Sequence, residues 1–425
     1  MARTARGCGV LSMVVGLSMS ACVVGMDDDE SLDDAEGRTS ATLRTSPEEI
    51  WAGGNVEITG CGFPKGSRSN PTQIQISITA PGETLTVTTG VDGTGCLQPA
   101  GALVTQAATY AVKASSVSSN NRTTLLASGS FTAITPPASS CQMSFAARAP
   151  YPVSIQYNAM IGIGDSVYSF GGVVNNAYYT AASYRYDPAT DAWTPIAPLP
   201  TMLLLPAATT DGTHAFIAGP PGDNQPTALL RYDPATDSYT TLRQFDGVAG
   251  NPDSDGSSME YLDGKVYYLG GAPANWYCTG VQDVRVYDVA TDTWSSAATF
   301  PSDMTCLMSA TSFEGSLYVA GGIGLFGGTA TAHTYVYDPG ANAWSDPAMA
   351  NLPQNRGGAA SGWVDGQWFL AGGATSDAVI SWDPQSNRWT RAGALTASRP
   401  ASASLGSSLL VVGGASTSTL EGSCP

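Results

Sequence analysis

Arg185–Trp193 reads RYDPATDAW, and Arg231–Tyr239 reads RYDPATDSY. Only the last two residues differ. A phrase kept this closely at a distance of one supersecondary unit marks a repeated structure. Diglycines place the other units: Gly171-Gly172, Gly270-Gly271, Gly321-Gly322, Gly372-Gly373 and Gly413-Gly414, with Gly219-Pro220 standing in the second. Each ends a strand-like apolar segment: DSVYSFGG, GTHAFIAG, GKVYYLGG, GSLYVAGG, GQWFLAGG and SSLLVVGG. In the first five units a turn follows, at Tyr186-Asp187, Tyr232-Asp233, Tyr287-Asp288, Tyr337-Asp338 and Trp382-Asp383. An aromatic comes next: Trp193, Tyr239, Trp294, Trp344 and Trp389.

Diglycine, Tyr and Trp in this order resemble the kelch repeat. The resemblance implies an all-β fold, a six-bladed β-propeller whose blades are four-stranded sheets with strands a to d. Diglycine is then expected at the end of strand b, where the backbone turns near a crowded axis without room for a Cβ. The Asp-Pro turn joins c to d: Asp caps it and Pro fixes φ. The Trp is expected between neighbouring blades. The sixth unit stops at Ser423-Cys424-Pro425, before any strand d. Cys141–Pro152, CQMSFAARAPYP, aligns with ATDAWTPIAPLP at Ala189–Pro200 and puts Phe145 on Trp193. A strand near 142–147 is therefore expected to close the ring, with Cys141 bonded to Cys424 in place of the missing hairpin.

The amino terminus is read separately. Arg3 and Arg6 precede an apolar run, Gly9–Met19, too short to span a bilayer. It ends in Met19-Ser20-Ala21-Cys22, which resembles the bacterial lipobox. Residues 1–21 are expected to be a signal peptide and Cys22 a lipidation site. The alternative is an ordinary secretory signal cut near Ala21. Residues 22–45 carry DDDE and DD and are expected to form an acidic, disordered tether. Residues 46–135 alternate in short Thr/Val-rich strands, resemble bacterial immunoglobulin-like modules and are expected to act as a spacer. Pro136-Pro137 opens the propeller segment, 136–425.

Only 12% of residues are charged and the formal net charge is −17, which excludes a nucleic-acid backbone as partner. After Cys8 and Cys22, six cysteines remain, and six can pair in 15 ways. Cys61 and Cys96 share the small domain, and Cys278 and Cys306 fall in loops of one propeller face. With Cys141–Cys424, those are the expected pairs in an oxidising envelope.

Catalytic chemistry has little to stand on. The copper oxidases that carry kelch repeats need two His ligands on one metal, but His214 and His333 fall in different units. The sialidase Asp-box is absent. Epimerases of sialic acid resemble this architecture and keep an enzymatic alternative open, as does a mutarotase. Asn251–Gly256, NPDSDG, begins like a calcium loop, but Leu262 stands where the loop needs Glu. No metal and no cofactor is expected. The candidate binding residues at the channel mouth are Arg148, Arg356, Arg399, Trp276, Tyr277, Asp223 and Glu260. Arg356 and Arg399 are expected at corresponding positions, bracing loops or contacting an anion or a sugar hydroxyl. The reading is a monomeric, non-catalytic envelope lipoprotein that binds a protein or glycan and meets the membrane only through its anchor, with a scaffold role as a further alternative.

Overall fold

The structure, a computed structural model, describes residues 41–425 apart from 47–48, 66–71, 99, 118–121, 204, 222–226, 244–255, 272–280, 303–304, 325–329, 346–348, 375 and 398. The expected signal peptide, Cys22 and the tether up to residue 40 lie outside it. The described residues are all β, without a helix.

Six four-stranded antiparallel sheets follow one another. The fourth shows the plan: Ser309–Phe313, Ser316–Ala320, Thr334–Asp338 and Ala343–Ser345, paired in that order. The first strands of the sheets contact one another in a closed cycle, from Ala159–Ile163 through Pro400–Leu405 and back. This is a β-propeller. Five sheets are continuous in sequence. The last combines Pro400–Leu405, Ser408–Gly413 and Thr419–Ser423 with Ser144–Ala147, a strand that precedes the first sheet. Phe145 lies opposite Gly422, and Cys141 is bonded to Cys424.

The diglycines are crowded by something more specific than the axis. A Cβ on Gly321 would stand 2.2 Å from the carbonyl oxygen of Arg356, in the loop entering the next sheet, while Gly322 N–H donates to that same oxygen at 2.8 Å. Both glycines are left-handed, at φ 68° and 124°. The pair wraps a neighbouring carbonyl, which no larger residue can do.

The repeated turn does two jobs. Its first Asp caps the hairpin: Asp187 accepts from Ala189 N–H at 2.9 Å and Asp233 from Ala235 N–H at 2.8 Å. Its last polar residue joins the sheets. Asp191, Asp237, Asp292, Asn342 and Asn387 all take φ between 46° and 52°. Each accepts a bond from the aromatic five residues earlier, from Tyr186, Tyr232, Tyr287, Tyr337 and Trp382, at 2.6 to 3.1 Å. Each also accepts a backbone N–H from the end of the preceding sheet, from Ala149, Ala197, Arg243, Ala298 and Ala350, at 2.8 to 3.4 Å. The strand d aromatic returns the bond: Tyr239, Trp294, Trp344 and Trp389 donate to the carbonyls of Ala197, Arg243, Ala298 and Ala350 at 2.7 to 3.0 Å.

Residues 41–135 form a sandwich. Arg44–Ser46, Gly54–Thr59 and Ala100–Val104 make one sheet, beginning two residues inside the expected tether. Ile50–Trp51, Thr123–Ile134, Ala108–Val117, Gln73–Ala80 and Glu83–Gly90 make the other. Ile58, Ile74, Ile76, Val104 and Phe131 fill the core. The Cys61–Cys96 disulfide joins strand ends. Cys306 is also disulfide-bonded, and Cys278, its expected partner, lies outside the described residues.

Asp237→Ala removes an acceptor of two hydrogen bonds at one junction and should cost about 1–2 kcal/mol in chemical denaturation. Asp237→Asn should be close to neutral, because Asn serves at two of the five junctions and tolerates left-handed φ.

Candidate functional site

One position recurs at the start of every sheet. Tyr157, Leu205, Gly256, Leu307, Gly358 and Arg399 all adopt left-handed φ, from 40° to 71°. Together they rim a cavity of about 140 Å3 at the mouth of the ring, to which all six sheets contribute. Four of the six carry side chains in a conformation that costs about 1 kcal/mol or more per residue, so the surrounding loops must hold it in place.

The rim is uneven. At the junction of the sixth and first sheets, Arg399 Nη1 donates a short hydrogen bond to the Tyr157 hydroxyl, and its Cζ lies 5.6 Å from the ring centroid. Among the described residues, Arg399 Nε and the neighbouring Asn158 Oδ1 are buried without a partner. Asn158 is anchored through its amide nitrogen to Ser169 Oγ at 2.9 Å. Beside them a small sheet of Ile155–Gln156, Val173–Val174 and Tyr178–Tyr179 rises from the face. Its tip is turned by Asn175 and Asn176, at φ 52° and 56°, and Tyr178 stands there 72% exposed. Met202, 49% exposed, sits in the loop that leads to Leu205.

Arg356 is elsewhere in kind. Its side chain is buried, with Nη1 on the carbonyls of Gly372 and Ala378 at 2.5 and 2.8 Å and Nη2 on Ser376 Oγ at 3.3 Å. Burial lowers its pKa to about 10. It braces a loop and has no open face for a ligand. The two arginines do not correspond: the Arg356 carbonyl caps Gly322 as the Ala397 carbonyl caps Gly373, while Arg399 shares its position with Gly358. Arg148 is also displaced from the mouth. It pairs with Glu421 at 2.6 Å on the outer strands, because residue 148 directly follows the peripheral strand Ser144–Ala147.

Glu260 lies on the innermost strand Ser258–Leu262 of the third sheet, half-buried and across the ring from Arg399. Burial raises its carboxyl to about 8, with the Ser312 hydroxyl and N–H opposing the shift. His214 engages Asp211 at 3.1 Å, whereas His333 stacks on Tyr335 in another sheet. Among the described residues no three metal-ligating side chains converge. Asp223, Trp276, Tyr277 and Asn251–Asp255 lie outside the described residues. Tyr157, Tyr178 and Leu205 were not singled out from the sequence; Asn175-Asn176 before Tyr178-Tyr179 was the available signal for the raised hairpin.

The Kelch motif is matched over residues 304–348. The chain is similar to Kelch-like protein 15 of Danio rerio, 26% identical over 153 residues, a match that spans 30% of this chain and 24% of that protein. The fold is similar to a solved structure of YjhT, with a TM-score of 0.53 and 16% identity over 65% of this chain and 96% of that one. At that identity the likeness concerns the fold.

In the folded protein Glu260 keeps its proton up to about pH 8, while the unfolded chain releases it near its ordinary value of 4.5. Stability should therefore fall as pH rises across that window. Glu260→Gln should flatten the fall, measured by denaturation at pH 5 and pH 8.

Proposed function

We propose that this chain is an exported lipoprotein, anchored through Cys22, in which an immunoglobulin-like sandwich precedes a six-bladed kelch propeller that serves as a non-catalytic binding module. The sandwich supports the immunoglobulin-like reading in two ways. Ile50–Trp51 runs parallel to the last strand, and the buried Tyr110 bonds back to Gln106 at 3.2 Å as a tyrosine corner does. Six sheets of one strand order support the blade count. Kelch repeats point to protein interaction.

The observation that carries the binding reading is the asymmetry of the rim. The junction of the sixth and first sheets holds an arginine and a tyrosine, with the exposed Tyr178 on the hairpin beside it, residue types enriched at protein interfaces. An exposed Tyr on a short hairpin is a low-entropy anchor, and the part-buried Arg399 places a positive charge at the mouth that suits a carboxylate or a carbonyl of a protein or glycan ligand.

Glu260 is the feature that speaks for the enzymatic alternative, because a carboxyl held protonated by burial has the proton that a general acid must supply. Its hydrogen bonds go to Ser312 of the next sheet, and Arg399 is across the ring from it, so the described groups do not converge on one reacting atom.

A glycan array and a bait-and-cross-link capture with the full chain test the proposal. Arg399→Ala and Tyr178→Ala should each weaken binding roughly tenfold, and the exposed Tyr178→Ala should do so while leaving the melting temperature unchanged. Undiminished binding in both variants would contradict it, as would turnover of a sugar that disappears in Glu260→Gln.

A further inference from the structure

Trp51 belongs to the sandwich by sequence, yet it is only 1% exposed and packs in the apolar cluster of the fourth and fifth propeller sheets, with Met349, Leu352, Trp368 and Trp389. Polar contacts surround it. Trp51 Nε1 donates to Glu49 Oε1 at 3.0 Å, and Glu49 Oε2 accepts from Arg388 Nη2 at 3.1 Å. Gln354 Nε2 donates to the Gly53 carbonyl at 2.7 Å, and a Cβ on Gly54 would stand 3.0 Å from the Pro353 carbonyl. A spacer free to swing would keep none of these groups in fixed register.

The same contact lies beside the ring's seam. Ile134, the last residue of the sandwich's final strand, pairs with Trp51. The chain then runs along the fifth sheet's outer strand: Arg391 N–H donates to the Pro137 carbonyl at 2.7 Å, Ser139 N–H to the Arg391 carbonyl at 2.8 Å, and Met143 N–H to the Ala392 carbonyl at 2.7 Å. Ser144–Ala147 follows at once and completes the sixth sheet. That strand is four residues long and comes from the opposite end of the propeller segment from its partner Thr419–Ser423.

We infer that the sandwich is an intramolecular clamp: docking of Trp51 holds the closing strand at high effective concentration beside the carboxyl-terminal strand and so keeps the ring shut. The clamp and the Cys141–Cys424 disulfide secure the same seam by independent means, one through a packed side chain and the other through a covalent bond. Either suffices in the folded protein, and removing both frees Ser144–Ala147. The inference does not depend on what the mouth binds.

Native hydrogen exchange of the full chain tests it, in four forms: wild type, Trp51→Ala, the double variant C141S/C424S, and all three substitutions together. Each of the two partial forms should leave the amides of Thr419–Ser423 nearly as protected as in wild type. The combined form should exchange there roughly tenfold faster than the product of the separate effects. The second sheet, Ala215–Gly219, should be unchanged throughout. If Trp51→Ala misfolds, Arg388→Ala with Gln354→Ala removes the polar rim of the dock and should give the same non-additive pattern more weakly. Additive effects at Thr419–Ser423, or faster exchange spread evenly over all six sheets, would overturn the clamp.

Discussion

The propeller depends on one contact made five times. A left-handed Asp or Asn at the end of each outer hairpin accepts a hydrogen bond from its own sheet's Tyr or Trp and a second from the backbone of the sheet before. A single such bond is worth about 1 kcal/mol net, which would not hold two sheets in register. The bond acts together with the strand d aromatic, whose ring is packed at the same junction and whose N–H or O–H returns, at four of the five, to the same backbone residue. Ala350, for example, gives its N–H to Asn387 and its carbonyl to Trp389. Both backbone groups of a strand end are thus satisfied across the gap, and the large ring excludes water from them.

The junction between the fifth and sixth sheets cannot be built this way, because the sixth sheet has no hairpin between strands c and d. Backbone bonds from residues 137–143 to Arg391 and Ala392 take its place, and the Cys141–Cys424 disulfide takes the place of the hairpin itself. The shape of the strands follows. A Cβ on Gly422 would come within 2.7 Å of the Phe145 ring and 2.8 Å of Met143 Sδ, so a larger residue there would displace both side chains of the closing segment. The seam is where the two ends of the propeller segment meet, one sheet away from the docked sandwich. The mouth cavity has its only described cation, Arg399, on the sixth sheet, next to Tyr157 of the first.

Much of this was legible in the sequence, and the exceptions have physical causes. Diglycine, the apolar strands and the Asp-Pro turn announce themselves because local backbone geometry permits few residues there. The closing strand could be aligned because Phe145 keeps an aromatic at the position of Trp193. The second Asp or Asn of the turn was in plain view, but its bond to the preceding sheet is set by ring geometry. The rim position is occupied by Tyr, Leu, Gly, Leu, Gly and Arg, so no residue pattern marks it; only a shared φ does. Arg356 and Arg399 were matched through the stretches LPQNR and LTASR, and the carbonyl that each diglycine wraps shows the two loops to be out of step. Trp51 reads as an ordinary strand residue, since burial across a domain boundary leaves no periodic trace.

Disulfide mapping of the oxidised protein, by non-reducing proteolysis and mass spectrometry, tests the closed ring most directly. The account requires a linked pair of peptides containing Cys141 and Cys424, lost on reduction. Recovery of either cysteine as a free thiol, or of Cys141 joined to a cysteine other than 424, would contradict it.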